Sequence, residues 1–210
     1  MTGEARLTRK QQAEASRRRV LEAARASFIE SGYHGATMAD IAERSGFAVQ
    51  TVSYFFGTKP KVLSQLIVTT IDEAIRHGAE RQGHLAWDRD EPGVTSGEEL
   101  IDAFVDVGHD ILMVAAPLMD VARVGALVDS EVAEVYAFHE QWRHRDYARF
   151  ARWLGELGAL REGLGVERAT DITLTVFGPE VYLALGTARG WSGDEIRDAM
   201  RDTLRRLLLA

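Results

Sequence analysis

The stretch from Thr37 to Lys59, TMADIAERSGFAVQTVSYFFGTK, constrains the fold of this chain more than any other part. Thr37 is a favoured N-cap residue, and Asp40, three positions later, completes a capping-box pattern. Gly46 suits the left-handed backbone that ends many helices. Between them, apolar residues recur at helical spacing: Met38, Ile41 and Ala42. The stretch is therefore predicted to begin with a short amphipathic helix that ends at Gly46.

A second short helix is predicted from about Val49 to Phe55, after a turn made by residues 47 and 48. Val52 and Phe56 are four apart and share one face, which we expect to point inward. A small helix with short polar side chains after a three-residue turn suits entry into the major groove of DNA. An ordinary helical hairpin is the alternative interpretation, because helix-Gly-helix patterns are common. The polar side of this helix carries Gln50, Thr51, Ser53 and Tyr54.

Charge is distributed unevenly along the chain. The net charge of −7 by itself argues against a polyanionic partner. Residues 1–62 nevertheless contain ten Lys and Arg against six Asp and Glu, a net +4, whereas residues 63–210 contain fifteen against twenty-six, a net −11. The pattern indicates a basic binding segment attached to an acidic body, with a chance surplus of surface charge as the alternative.

Composition excludes several classes of protein. Cysteine is absent, which excludes disulfides and Cys-based metal or redox sites. No run of about 18 apolar residues occurs, so neither a membrane-spanning helix nor a membrane partner is expected. The N-terminal sequence MTGEARLTRKQQAEASRRR lacks the apolar core of a signal peptide. We expect a cytoplasmic protein.

Helical periodicity predicts how the chain is organised. Residues 1–12 are expected to form a mobile basic tail, followed by a helix-turn-helix domain at 13–60 that opens with a helix from about Gln12 to Ser31. Gly32 is expected to stop that helix, and the three adjacent arginines at 17–19 form either a solvated face or a flank for DNA. Its apolar stripe is Val20, Leu21, Ala24, Phe28 and Ile29.

The larger region at 61–210 is also predicted to be helical, with a loop at 83–97. Thr58 and Pro60 open a helix that runs to about Gln82. Further helices are expected at about 98–114, from Pro117 to near Val128, from 129 or 130 to about 157, and from about 166 to 187 with a kink at Pro179. Ser96 with Glu99 and Ser192 with Glu195 are capping-box patterns. Because no useful strand alternation occurs, the predicted fold class is all-α.

The segment RRRVLEAARASFIESGYHGATMADIAERSGFAVQTVSYFFGTKPKVL resembles the TetR family of bacterial transcriptional regulators. The matching features are FxxxGYxxxTMxDIAxxxG, then QTV, then FGTK, with a looser resemblance in GPEVYLAL, RGWS and DTLRRLLL near the C-terminus. The resemblance implies a homodimer with N-terminal DNA-reading domains. It also implies that the larger helical domain at 61–210 binds an effector and forms the dimer.

The same resemblance suggests residue roles. Thr37 and Lys59 correspond to phosphate-contacting positions at two helix starts, which attract anions. Gln50 and Thr51 correspond to base-edge readers, because Gln can bond an adenine edge with both amide atoms. The chain departs from the family at Ser53, where Tyr is usual, and at Phe55, where His is frequent. We expect Tyr54 to make a phosphate or base contact from a different direction.

Residues of the larger domain are candidates for an effector pocket and for a dimer surface. Apolar lining with a few polar groups predicts an organic effector of apolar or aromatic character. The predicted lining is Phe104, His109, Met113, Met119, Arg123, Trp142, Arg143, Tyr147 and Phe177. Stripes on the last two predicted helices either form the dimer surface or complete the monomer core. They contain Ile172, Val176, Leu183, Ile196, Met200, Leu204 and Leu207.

Three hypotheses of function follow. The first is a homodimeric, ligand-responsive transcriptional repressor that binds an inverted repeat in double-stranded DNA and needs neither a cofactor nor a metal. The second is a helical-bundle metalloenzyme using Glu140, His144 and His109, since Glu140 and His144 have the i, i+4 spacing of ligand pairs. The third is an adaptor that binds a protein partner through its C-terminal stripe. Catalytic and nucleotide fingerprints are absent from the sequence, and we expect no enzyme activity.

Overall fold

The computed structural model of the chain describes residues 8–82 and 93–210, and it confirms the predicted all-α class. Within these residues the one extended pairing is an isolated antiparallel bridge between Leu160 and Leu209. No helix in the described ranges is long and apolar enough to cross a membrane. The helices are α1 Arg9–Gly35, α2 Met38–Ser45, α3 Val49–Phe56, α4 Lys59–Gln82, α5 Gly97–Gly125, α6 Ser130–Glu156, α7 Val166–Val176, α8 Pro179–Arg189 and α9 Gly193–Leu208.

The first of two compact units combines separate parts of the chain. The described residues from Thr8 to Val68 pack with Val121–Val135, which contains the turn between α5 and α6. The predicted domain boundary at residue 60 assigned 61–68 and 121–135 to the second domain, whereas the structure packs both in the first unit. The fully buried side chains of this unit include Val20, Ala24, Phe28, Ile41, Val52, Leu63, Ile67, Ala122 and Val132.

Helix α1 begins earlier than predicted. Thr8 forms a capping box with Gln11, so that residues 9–12 are helical rather than part of the predicted tail. Residues 1–7 lie outside the described part of the chain. The backbone leaves helical geometry at Gly32 (φ 66°, ψ 179°), where the sequence predicted a stop, and helical structure resumes to Gly35. Ile29 was predicted to lie on the buried stripe, but its side chain is exposed because it faces away from the core.

The second unit contains Thr69–Asp120 and Tyr136–Ala210. Its core is aromatic at the centre, where the rings of Phe104 and Phe150 stack with centroids 4.0 Å apart. Helix α9 covers this core with residues spaced by four. Its capping box, Ser192 with Glu195, is confirmed. The buried residues of α9 are Ile196, Met200, Leu204 and Leu208.

Helix α5 corrects the prediction of two helices separated at Pro117. A single helix, Gly97–Gly125, contains Pro117 in its interior. Proline costs a helix one hydrogen bond and a steric clash, but Ala116 and Leu118 on either side are fully buried. We attribute the continuity to this burial, which favours one helix over a turn. Residues 83–92 of the predicted loop lie outside the described residues, and the helix begins at Gly97 as the Ser96 pattern indicated.

The predicted kink at Pro179 is instead a complete break. Helix α7 ends at Val176, Gly178 is extended (φ −141°, ψ 168°), and Pro179 is the first residue of α8. Helical geometry is disfavoured for the residue before a proline, and glycine at that position also has a low helix propensity. Proline at the first helical position loses no hydrogen bond. Two helices of eleven residues each therefore replace the predicted long one.

Candidate nucleic-acid interface

Helix α2 is fixed by caps at both ends. Thr37 is exposed, and its Oγ1 accepts a hydrogen bond from Asp40 N at 3.1 Å. The Asp40 carboxylate pairs with Arg44 at 2.8 Å, rather than closing the predicted reciprocal box. Arg44 also bonds Glu30 of α1 at 2.8 Å, and its hydrogen bond to Asp40 is the main cause that lowers the pKa of Asp40. Gly46 ends α2 in the left-handed region (φ 69°, ψ 27°), as predicted.

Helix α3 has one buried anchor and a polar exposed side. Val52 is fully buried, and the helix spans Val49–Phe56, within one residue of the prediction. Gln50 and Ser53 are exposed and Tyr54 is 85% exposed, while Thr51 is half-buried. Residues 50, 53 and 54 have the i, i+3, i+4 spacing that brings side chains to one face. The structure therefore brings three of the predicted DNA-contacting side chains together on one accessible surface.

Two arginines of α1 attach α3 and its preceding turn. Arg17 Nη2 donates to the Phe55 carbonyl at 2.8 Å, and its guanidinium lies 5.8 Å from the Phe55 ring centroid and 5.6 Å from that of Phe56. The Arg19 guanidinium lies 5.4 Å from the Phe47 ring centroid. A cation at the C-terminal carbonyls of a helix is favourable. Arg17 and Arg19 therefore hold the turn and α3 against α1. The two interpretations of these arginines from the sequence, a solvated face or a flank for DNA, did not include this contact.

Lys59 lies partly inside the first unit. Its Nζ donates to the carbonyls of Tyr33 at 2.8 Å and Ala36 at 3.0 Å. It also lies 4.1 Å from the Tyr33 ring centroid, and burial lowers its pKa. Two of the three ammonium hydrogens are thus engaged, which leaves one for another acceptor. Its predicted contact with phosphate remains a prediction. Its hydrogen bonds to Tyr33, at the end of α1, and to Ala36, just before the N-cap of α2, were not part of that prediction.

The predicted effector residues are divided by the structure. Phe104, Tyr147 and Phe177 come together, with ring centroids 5.1 Å apart for Phe104–Tyr147 and 5.2 Å for Phe104–Phe177. Tyr147 Oη donates to the Phe177 carbonyl at 2.8 Å. Met119 and His109 are buried as well. By contrast, Met113, Arg123 and Trp142 are exposed, so they do not line a buried site in this structure.

The buried side of α6 is polar over two turns. His139, Arg143 and Tyr147 are spaced by four and share one helix face. His139 is 4% exposed, and burial lowers its pKa to about 4. His139 Nε2 and Arg143 Nε have no hydrogen-bond partner among the described residues. In the sequence, the signal for this polar face is the i, i+4 spacing of His139 and Arg143.

The predicted metal ligands are not assembled. Glu140 pairs with Arg143 at 2.5 Å rather than with His144. Within the described residues, no three His, Cys, Asp or Glu side chains are arranged to hold a metal ion. In the described part of the chain, Glu140, His144 and His109 are therefore not brought together as a group of metal ligands.

The predicted dimer residues also divide into two sets. Ile196, Met200 and Leu204 are buried within the single chain, so they complete its core instead of presenting a surface to a second copy. The half-buried residues Ile172, Val176, Leu183 and Leu207 retain accessible area. Helix α9 is amphipathic, and its apolar stripe is buried in the core of the second unit.

Comparisons with known proteins identify a family and solved structures to which the chain is similar. Residues 20–66 match the model of the family described as bacterial regulatory proteins, tetR family. None of the curated proteins is significantly similar in sequence to the chain. Solved structures with the same fold include three that share less than a fifth of their residues with it.

Three of these structures illustrate the degree of similarity to the chain. A protein proposed to be a transcriptional regulator, from Saccharomonospora viridis and in complex with choline, is 19% identical over 95% of this chain and 100% of that chain, with a TM-score of 0.69. FadR from Bacillus subtilis, in complex with stearoyl-CoA, is 15% identical over 89% and 96%, with a TM-score of 0.64. The TetR-family regulator PfmR from Thermus thermophilus is 18% identical over 90% and 97%, with a TM-score of 0.66.

Proposed function

By its residues 20–66 the chain belongs to the TetR family of bacterial transcriptional regulators, and we propose that it is a ligand-responsive repressor in the cytoplasm. Two copies bind an inverted repeat in double-stranded DNA, with α3 of each copy in the major groove of one half-site. A small organic effector bound by the second unit releases the homodimer from DNA. Binding of effector and of DNA are then linked reciprocally, each lowering the affinity for the other by the same factor.

The observation that carries the proposal is the exposed polar face of α3. Gln50, Ser53 and Tyr54 point away from the anchor Val52 on a helix that α1 holds through Arg17. A buried anchor with a polar, accessible opposite face is the arrangement that a recognition helix requires.

Each residue of this surface has a proposed role. Gln50 reads a base edge with its amide, and Thr51 contacts a base through its hydroxyl or its methyl group. Thr37 and Lys59 contact the phosphate backbone, Lys59 with the ammonium hydrogen that its two carbonyl partners leave. Tyr54, which is 85% exposed, supplies a contact beside Ser53.

Effector binding and dimerisation are assigned to the second unit. The complexes of the S. viridis protein with choline and of B. subtilis FadR with stearoyl-CoA support a role in binding small organic molecules. The aromatic cluster of Phe104, Tyr147 and Phe177 supports an apolar or aromatic effector. The unpaired buried nitrogens of His139 and Arg143 support an effector that also carries polar groups, because unpaired buried groups are costly. The half-buried Ile172, Val176, Leu183 and Leu207 are the proposed dimer contacts.

Selection of binding sites from random duplex DNA tests the proposal. The expected result is an enriched inverted repeat whose affinity falls steeply with salt, because Lys and Arg contacts release counterions from phosphate. A titration that fits two chains per repeat would support the homodimer. Recovery of no sequence preference, with equally weak binding to all duplexes, would contradict the proposed function.

A further inference from the structure

Tyr33 joins distant parts of the first unit. It lies in the connector at 33–37, by which we mean the end of α1 after the backbone break at Gly32 and the two residues that lead to α2. Tyr33 is 4% exposed, and its ring stacks on Phe28 with an interplanar angle of 5°. Its Oη donates to Asp129 Oδ2 at 2.6 Å. Asp129 immediately precedes α6 and is 96 residues away in sequence. One hydrogen bond thus joins the entrance of the helix-turn-helix to the turn between α5 and α6.

The two oxygens of Asp129 have separate partners. Oδ1 accepts from Glu131 N at 2.9 Å and Val132 N at 3.3 Å, which caps α6. Oδ2 accepts from Tyr33, and this hydrogen bond is the main cause that lowers the pKa of Asp129. The acceptor is therefore an ionised carboxylate, and hydrogen bonds to ionised acceptors are the stronger ones.

The same connector is held from its other side by the start of α4. Lys59 Nζ bonds the carbonyls of Tyr33 and Ala36. Ala36 directly precedes Thr37, the N-cap of α2. Thr58 Oγ1 donates to Glu131 Oε2 at 3.2 Å, which joins the starts of α4 and α6. Helix α2 therefore follows a connector that is bonded to the start of α4 and, through Asp129, to the start of α6.

Packing leaves the Tyr33 ring little freedom. A Cβ atom added at Gly125 of α5 would lie 2.8 Å from Tyr33 Cγ. Glycine is required there because the ring lies directly against the backbone of α5. The position of Tyr33 is thus determined by contacts with α1, α4, α5 and Asp129 together.

We propose that Asp129, acting through Tyr33, is a positioning residue for DNA reading. It touches neither bases nor phosphates, and it sets where α2 begins and hence where α3 presents Gln50 and Tyr54. Helices α2 and α3 have eight residues each, and helices this short are marginal without tertiary contacts. Their placement therefore depends on the connector at 33–37. This inference rests on the proposed function, since it assumes that α3 reads DNA.

The test compares full-length variants that break the Tyr33–Asp129 bond from each side. Tyr33→Phe removes the donor and leaves the cap on α6 intact. Asp129→Ser removes the carboxylate acceptor and keeps a favoured N-cap residue. Tyr182→Phe, which removes a hydroxyl from a buried tyrosine of the second unit, is the matched control. Affinity for the selected repeat and for scrambled DNA is measured, together with amide hydrogen exchange of Met38–Phe56, at temperatures where every variant is fully folded.

We expect both variants to bind the selected repeat roughly tenfold more weakly, as loss of one charge-assisted hydrogen bond implies. Scrambled DNA should be bound about as before, exchange in α2 and α3 should be faster, and the double variant should be no worse than either single one. Tyr182→Phe should match the wild type.

Wild-type affinity and wild-type exchange in both variants, even with a lower melting temperature, would overturn the inference and leave the bond as a stabilising contact only. Hydrogen exchange also separates the two proposals. If the wild type selects no sequence, the proposed function fails, while faster exchange of α2 and α3 in both variants would still support positioning and unchanged exchange would refute it.

Discussion

Arg17 of α1 donates from Nη2 to the carbonyl of Phe55 in α3 at 2.8 Å, across 38 positions of sequence. Because its guanidinium also lies over the rings of Phe55 and Phe56, Arg17→Ala should lower the free energy of unfolding by about 1–2 kcal/mol. Urea unfolding measures this change. Arg18→Ala, which removes the same charge from an exposed neighbour, should leave stability nearly unchanged, and equal losses for the two variants would contradict the bracing role of Arg17.

Gln50→Ala should relax sequence specificity. If the amide of Gln50 bonds a base edge, its loss should cost roughly 1–3 kcal/mol of affinity for the selected repeat and much less on scrambled DNA. Fluorescence anisotropy with both duplexes gives the two values under the same salt. Equal losses on both duplexes would remove Gln50 as a base reader.

Lys59→Ala should affect both stability and salt dependence. Loss of the two hydrogen bonds to Tyr33 and Ala36 should lower the free energy of unfolding by about 2 kcal/mol, since the donor is charged and half-buried. If Lys59 also contacts phosphate, the slope of log affinity against log salt should decrease by about one. Lys61→Ala, at an exposed position two residues later, is the control for stability. An unchanged slope with reduced stability would assign Lys59 to the connector alone.

Gly108→Ala should destabilise the second unit. The added Cβ would lie 2.3 Å from Cε1 of Phe177, a fully buried side chain, so overpacking should cost roughly 1–3 kcal/mol. Gly186→Ala is the matched helical glycine, because its Cβ would meet Ile196 Cδ1 at 3.4 Å, an ordinary contact. That variant should be neutral or gain up to about 1 kcal/mol from helix propensity. Thermal unfolding of both variants checks the contrast.

His139 should make stability depend on pH. Burial lowers its pKa to about 4 in the folded chain, whereas about 6.5 is normal when unfolded. The unfolded chain therefore binds a proton first as pH falls, so the contribution of neutral His139 is complete above about pH 6.5 and is lost on descent to about pH 4. The loss should reach roughly 2–3 kcal/mol.

Unfolding by urea at pH 7 and pH 4.5 checks this dependence. His139→Gln should lose less stability than the wild type between the two values, because the buried imidazole is gone. His144→Gln, at an exposed position on the same helix, should follow the wild type. A wild-type pH dependence in His139→Gln would show that the carboxylates account for all of it.

The local parts of this structure were predictable from sequence because their causes are local. Thr37, Gly46 and the Ser192–Glu195 pair act within one helical turn, and the structure confirms the helix ends that they predict. The exposed face of α3 likewise follows from the spacing around Val52. The effect of the prolines was harder to predict. Pro117 lies inside α5, between two buried residues, whereas Gly178 and Pro179 separate α7 from α8.

Contacts between distant residues could not be predicted in the same way. An amphipathic stripe indicates which residues are covered, but not whether the same chain or a second copy covers them, as Ile196, Met200 and Leu204 illustrate. The Tyr33–Asp129 bond has no sequence signal at all, because neither residue is unusual in its local context. Arg17 and Arg19 were open to two interpretations, and neither included the contacts with Phe55 and Phe47, which are distant in sequence.

The segment Val121–Val135 belongs to the first unit although more than fifty residues separate it from Val68. A fragment that stopped at the end of the helix-turn-helix would lack Gly125, Asp129 and Glu131. The ring of Tyr33 would then face water, and Thr58 would lose its partner. Transferring the first unit to another protein therefore requires moving two segments of chain, and a chimera joined at a single point would carry α3 without these supporting contacts.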